Sequence, residues 1–132
     1  MKNQIQHSGK DCEFCEPKTN KIIAKEGPAF AIYDKFPVTP LHSLVIPKRH
    51  VSSFFDLDDM EVDAILRLLA RMRTKILTKD STVKGFNIGV NIGEAAGQTI
   101  FHCHIHLIPR RHGDVENPRG GVRGVIPRKQ SY

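Results

Sequence analysis

Phe101-His102-Cys103-His104-Ile105-His106-Leu107-Ile108-Pro109 sets histidine at every second position among apolar residues. Read as a β-strand, residues i, i+2 and i+4 share a face, so His102, His104 and His106 project together while Phe101, Cys103, Ile105 and Leu107 face the other way. Successive imidazoles then stand roughly 6.5–7 Å apart at Cβ. Three such rings are costly to desolvate and pack poorly, so this face points to chemistry and the opposite one to a core.

The neighbouring sequence supplies the rest of a sheet. Gly85 to Gly93 alternates with period two, Phe86, Ile88, Val90 and Ile92 on one side and Asn87, Gly89 and Asn91 on the other. The loop Glu94-Ala95-Ala96-Gly97-Gln98-Thr99 returns the chain to the histidine strand, which predicts an antiparallel pair with Asn91 beside the histidines. Ala29 to Asp34 and His42 to Pro47 read as two further strands around a turn marked by Pro37 and Pro40. Between these halves Asp58 and Glu61 form a capping box, and Val62, Ile65, Leu66, Leu69, Met72 and Ile76 keep the spacing of one long amphipathic helix. Its other face carries Arg67, Arg71, Arg73 and Lys75, diluted by Asp59, Glu61 and Asp63, and reads as solvated surface rather than a nucleic-acid footprint.

Length and composition narrow the class. A chain of 132 residues, 39% hydrophobic and 26% charged, fits one globular domain, and no apolar run approaches a membrane span. Met1 to Asp11 lacks the apolar core of a secretory signal, so a cytoplasmic location is expected, where three cysteines argue against a disulfide framework. The net charge of +6 suits an anionic partner, and the excess gathers late, in Arg110, Arg111, Arg119, Arg123, Arg128 and Lys129. Residues 1–113 read as the domain and 114–132 as a basic tail rich in glycine and proline, which either drapes over a surface or moves freely.

Three histidines spaced along one strand cannot converge on a single ion without severe bending, so a histidine-only metal site is disfavoured. Nucleophilic catalysis fits better. A neutral imidazole attacks phosphorus when its Nδ1 proton is held by an acceptor, and His104, with neighbours on both sides, is the expected nucleophile; His106 is the expected donor to a leaving group or phosphate oxygen. Gly97-Gln98-Thr99 offers an amide, a hydroxyl and backbone N–H groups for phosphate oxygens, and no carboxylate lies between Ala95 and Arg111 to repel an anion. The pair Cys12-Glu13-Phe14-Cys15 offers two of the four ligands of a tetrahedral zinc, or two unconnected cysteines; the turn-rich residues after it argue against a redox role.

His102-Cys103-His104-Ile105-His106-Leu107-Ile108 resembles the H-φ-H-φ-H-φ-φ signature of the histidine triad (HIT) superfamily of nucleotide hydrolases and transferases. Leu41-His42-Ser43-Leu44-Val45-Ile46-Pro47-Lys48-Arg49-His50 is similar to the family's G-H-x-L-V-I-P-K-x-H strand, and Gly97-Gln98-Thr99 stands where the family has G-Q-S/T. The likeness runs from about Cys12 to Gly113; Leu41 departs from it at a position where little effect on chemistry is expected.

The resemblance implies an α+β, HIT-like fold, a five-stranded antiparallel sheet with one long and one short helix, assembled as a homodimer whose sheets join. It implies attack of His104 on an α-phosphorus, a nucleotidyl-histidine and its hydrolysis, with His106 assisting departure. Asp34 (ribose, or equally a turn residue), His42, Asn91, Gln98 and Thr99 would bind substrate, with Phe14 and Ile32 near the nucleoside. Members with C-x-x-C resemble zinc proteins, which assigns Cys12, Cys15, His50 and His102 to a structural zinc; Mg2+ would accompany the substrate. Cys103 reads as a small core residue, and His7 and His112 as surface groups. The segment Leu107 to Asp114 is similar to the branch that hydrolyses dinucleoside polyphosphates, its arginines a basic exit for extra phosphates, whereas Asn91 resembles the phosphoramidate-cleaving branch. Dinucleoside polyphosphate hydrolysis is the expected activity; the alternatives are phosphoramidate hydrolysis, a nucleotidyl transferase or phosphorylase, and a non-enzymatic nucleotide-binding module.

Overall fold

A computed structural model describes residues 12–132; His7 lies outside them. The strands β1 (Ile22–Glu26), β2 (Ala29–Tyr33), β3 (Ser43–Pro47), β4 (Val83–Val90) and β5 (Ile105–Arg111) form one antiparallel sheet in the order β1-β2-β3-β5-β4. The helix α1 (Asp59–Lys79) crosses one face. No described helix is long and apolar enough to cross a membrane. The expected short second helix is not formed among the described residues: α1 is their one α-helix, and Phe54–Asp56 ahead of it is one of five short 3-10 turns.

Both faces of the sheet centre are covered, which explains why all five residues of β3 are buried and why Leu44 to Pro47 read as an unbroken apolar run. On the helix side Ala29, Ala31, Val45, Ile105 and Leu107 meet Ile65, Leu68, Met72 and Ile76. On the other, Phe30, Ile32, Leu44 and Ile46 pack against Cys12 and Phe14. The capping box at the start of α1 forms as expected, with Asp58 accepting from the Glu61 amide and Glu61 from the Asp58 amide. The buried stripe is rotated from the expected one: Ala64 and Leu68 are buried and Leu66 is exposed, while Ile65, Met72 and Ile76 are buried as expected.

Three strand expectations change. Strand β4 ends at Val90 rather than Gly93, so Asn91 and Ile92 lie beyond it. Strand β1 has no clear signal in the sequence, because five residues on a sheet edge carry little periodicity. The histidine stretch enters the ladder only at Ile105, since the Cys103 amide donates to the Val51 carbonyl instead of to a strand neighbour. His102 and Cys103 are therefore both fully buried, on different sides of the chain's bend, while the alternation holds from Ile105 onward.

Leu41 has a φ of +72°, in the left-handed region. There a side chain crowds the following carbonyl at a cost of about 1–2 kcal/mol, which gives a backbone reason for glycine at this place in the related pattern. The half-buried Leu41 side chain packs on the helix-side core and offsets part of that cost. In the same core the Tyr33 hydroxyl is sealed without a hydrogen-bond partner among the described residues, and burial pushes its pKa up. Removing such a group is neutral or favourable, so Tyr33→Phe is expected to match or exceed the parent's stability by up to about 1 kcal/mol in urea unfolding.

Candidate active site and metal centre

Four side chains from three separate segments converge beside the apolar face. Cys12 and Cys15 come from one turn, closed by the Cys15 amide on the Cys12 carbonyl; His50 follows β3, and His102 precedes β5. Their ligand atoms lie within 4.8 Å of one another, with Cys15 Sγ 3.1 Å from His50 Nδ1 and 3.3 Å from His102 Nδ1, Cys12 Sγ 3.4 Å from His102 Nδ1, and the two Nδ1 atoms 3.3 Å apart. Edges of roughly 3.3–3.8 Å are those of a tetrahedron with metal bonds of 2.0–2.3 Å. His102 Nε2 donates to the Pro47 carbonyl at 2.7 Å, which leaves the Nδ1 lone pair facing the cysteines. Burial, followed by the neighbouring Cys12, pushes the Cys15 thiol up to about 11, so thiolates here need a cation close by. The donor set fits zinc, in a closed Cys2His2 site without an open position.

The bend that buries His102 also sets its neighbour. His104 Nδ1 lies 2.8 Å from the His102 carbonyl, and a carbonyl only accepts, so the proton sits on Nδ1 and the Nε2 lone pair is free. Phe14, carried by the cysteine turn, packs edge-on against His104 with centroids 5.0 Å apart and an interplanar angle of 62°. The role of Phe14 as a wall of the nucleophile has no periodic signal; it follows from the turn that the cysteines make.

A second chain of bonds fixes His106. The Val38 amide donates to His42 Nδ1 at 3.1 Å, which places the His42 proton on Nε2. That nitrogen stands 2.9 Å from His106 Nδ1 and 3.5 Å from Asp34 Oδ2, so His106 accepts on Nδ1 and carries its own proton on Nε2. Burial, then the neighbouring imidazoles, lowers the His106 pKa to about 4, and burial lowers that of His42 against the pull of Asp34. Asp34 also accepts from the Phe36 amide at 2.9 Å, and so closes a turn while it faces His42. Asp34, His42 and His106 form a second grouping of potential ligands, but a cation there would have to displace the His42 proton that Val38 holds in place. With one carboxylate it also lacks the oxygen donors Mg2+ prefers.

The remaining expected residues separate. Asn91 follows Val90, the partner of Ile105, and so stands level with the nucleophile's end of β5. Gln98 is buried: its oxygen accepts from the Gly93 amide, and its nitrogen donates to the carbonyls of Ser52 and Ile100. Its amide has no donor left for a phosphate. The amides of Gly97 and Gln98 are likewise spent on Glu94 and Gly93, with Gly97 at a φ of +91°, whereas Thr99 is exposed. Cys103 sits in the core, where burial pushes its thiol up to about 12, and His112 is exposed.

The arginines after the triad do not form the expected exit. Arg110 pairs in a fork with Asp114 and donates to Asn87, while Arg111 holds Asp80, Thr39 and the Pro40 carbonyl. Both guanidiniums are spent tying β5 to its neighbours. Arg49 is similarly engaged, with two bonds of 3.0 and 2.8 Å to the buried Glu61, and anchors the segment that presents His50 to the start of α1. No short-range spacing announces that pair. Its hydrogen bonds hold Glu61 below its ordinary pKa of 4.5, so the pair's contribution is complete above that value and is lost as pH falls through the lowered one. Arg49→Ala is expected to lower stability in urea unfolding at neutral pH, because it leaves the buried Glu61 carboxylate without its partner. The difference should shrink in acid, once Glu61 is protonated in both proteins.

An antiparallel sheet carrying a Cys2His2 cluster beside a histidine pair with fixed tautomers defines a class of α+β proteins. The HIT domain model matches residues 16–113, and the chain belongs to the HIT family. It is 36% identical over 114 residues to an uncharacterized HIT-like protein of Borreliella burgdorferi, covering 79% of this chain and 78% of that one. It is 34% identical over 94 residues to the AP-4-A phosphorylase of Mycobacterium tuberculosis, covering 70% of this chain but 48% of that protein. Among solved structures, a zinc-bound histidine triad family protein from Mycobacterium smegmatis superposes with a TM-score of 0.73 at 32% identity, covering 83% of this chain and 82% of that one.

Proposed function

We propose that this nucleotide-processing HIT protein hydrolyses dinucleoside polyphosphates at the α-phosphorus through a nucleotidyl-histidine on His104. The observation that carries the reading is the allotment of ring protons. His104 presents a lone pair and His106 an N–H, each fixed from behind by a group that can only accept or only donate. Attack by His104 Nε2 forms the N–P bond as the bridging P–O bond breaks and its electrons leave with the nucleoside polyphosphate. The His102 carbonyl holds the Nδ1 proton of the resulting imidazolium, and His106 Nε2–H bonds a phosphate oxygen. Water then attacks the phosphorus from the opposite side, giving a nucleoside monophosphate and a proton and restoring His104.

Neutral His106 favours this substrate class. A polyphosphate departs as an anion without needing a proton, whereas the amine of a phosphoramidate needs one, and a ring whose pKa lies near 4 is a poor source of it at neutral pH. Asp34 and His42 would stand toward the ribose, Ile32 and Phe14 toward the base, and Thr99 and Asn91 about the phosphate, with Gln98 supporting their loop from within. Bound zinc would supply a rigid tetrahedral anchor to Cys12, Cys15, His50 and His102. Among the described residues the outer edge of β4 lacks a strand neighbour, and it carries the half-exposed Ile88, which supports a dimer joined sheet to sheet.

The test is phosphorus NMR of the products of diadenosine tetraphosphate and adenosine phosphoramidate in oxygen-18 water. Expected are faster turnover of the tetraphosphate and one labelled oxygen in AMP. Faster phosphoramidate turnover overturns the substrate assignment. Formation of ADP on adding inorganic phosphate instead identifies a phosphorylase, the activity named for the Mycobacterium tuberculosis relative.

A further inference from the structure

The sheet order lays the site face out along one line. Ile22, Ile32 and Leu44 stand in a row on β1, β2 and β3, the same row continues to His106 on β5, and the partner of His106 on β4 is Gly89. A nucleotide with its base on the apolar strands and its α-phosphorus at His104 directs its leaving group toward β4. Space is open there, since a Cβ on Gly89 would meet nothing within 4 Å. Two residues along the same face is Asn87, and against it sits the C-terminal segment: a Cβ on Gly121 would stand 3.3 Å from Asn87 Nδ2.

That segment is built rather than loose. Gly120 has a φ of +91°, and any side chain there would fall on the Gln130 carbonyl. Arg123 donates to the carbonyls of Lys129 and Gln130, and Gln130 to that of Arg119. The guanidiniums of Arg119 and Arg123 lie 4.8 and 4.9 Å from the Tyr132 ring centroid, so two positive charges share one aromatic ring. Between Val115 and Tyr132 the only acidic side chain is Glu116, against Arg119, Arg123, Arg128 and Lys129. No carboxylate pairs with the two stacked guanidiniums among the described residues, in contrast to Arg110 and Arg111. Two guanidiniums held by one ring, with no carboxylate paired to either, leave positive charge here that an anion can neutralise.

We infer that residues 119–132 form the leaving-group subsite, which selects leaving groups bearing two or more negative charges, the distal phosphates of a nucleoside polyphosphate. The inference rests on the His104 reading and adds to it the element that discriminates between substrates. Arg119 and Arg123 grip the distal phosphates, and Tyr132 and the Gly120 turn hold the arginines in place.

Two measurements test it. The first compares kcat/KM for diadenosine tetraphosphate and adenosine phosphoramidate in the parent, in the Arg119→Ala/Arg123→Ala double variant, and in Gly120→Ala, which unseats the turn but keeps the charges. The tetraphosphate-to-phosphoramidate ratio is expected to fall about 10- to 100-fold in the double variant and in the same direction in Gly120→Ala. An unchanged ratio, whether both rates fall together or neither does, overturns the inference. The second follows backbone amide shifts during titration with inorganic tripolyphosphate, which needs no turnover. Saturable shifts at Gly120 to Arg123 and Tyr132 are expected. Their absence in a protein that hydrolyses the tetraphosphate overturns the subsite alone; a parent that turns over neither nucleotide overturns the His104 reading and the subsite with it.

Discussion

Replacing His104 with alanine is expected to lower kcat by at least about 10⁴-fold while the thermal transition and zinc content stay at parental values. The side chain is half-buried, and its single side-chain hydrogen bond goes to the His102 carbonyl, so its loss leaves no charged or strained group behind. The Nε2 lone pair, by contrast, has no substitute. His106, the nearest imidazole at 5.3 Å between centroids, has its Nδ1 facing His42 and presents a proton where a nucleophile needs electrons. Acid-quenched incubation with labelled substrate should trap a nucleotide on His104 in the parent and none in the variant. Turnover within tenfold of the parent would falsify the assignment of His104. His106→Ala removes a donor and not the nucleophile, so about a 10²- to 10³-fold loss is expected.

The second large effect is on stability. Removing zinc with a chelator, or one ligand by Cys12→Ala or Cys15→Ala, is expected to cost about 3 kcal/mol or more, read as a fall of about 10 °C in Tm. Without a cation the site holds two cysteines, one with its thiol raised to about 11, around a fully buried imidazole. The turn that closes on Cys12 also carries Phe14, so its release strips a wall from His104. The affinity should rise with pH, since the thiols release protons on binding metal. Elemental analysis showing no metal in a protein whose Tm is indifferent to chelation would contradict a structural zinc.

What the sequence made legible was periodic or local. The capping box of Asp58 and Glu61, the alternation of β4 and the histidines at 102, 104 and 106 each need only a few neighbouring residues to be recognised. The separation of His102 from His104 and His106 was not legible from alternation, because it depends on the Val51 carbonyl drawing Cys103 out of the ladder. The tautomers rest on Val38, Pro47 and His102 backbone groups, which carry no sequence signature. Arg110 and Arg111 misled for a related reason: charge is visible in a sequence, but its neutralisation by Asp114 and by Asp80, 31 residues away, is not. Gln98 looked like a phosphate ligand by its place in the motif, whereas its three partners lie on the loop itself and at Ser52.

One residue belongs to both centres: the His102 ring faces the cysteines and its carbonyl holds the nucleophile. A change in the charge of His104, as when it carries a nucleotide, alters the pull on that carbonyl and hence on the peptide leading to the ring. Cobalt, which accepts the same ligands, would turn this shared residue into an optical reporter, its visible absorption shifting with each turnover, and the lifetime of the covalent state could be followed in an unlabelled protein.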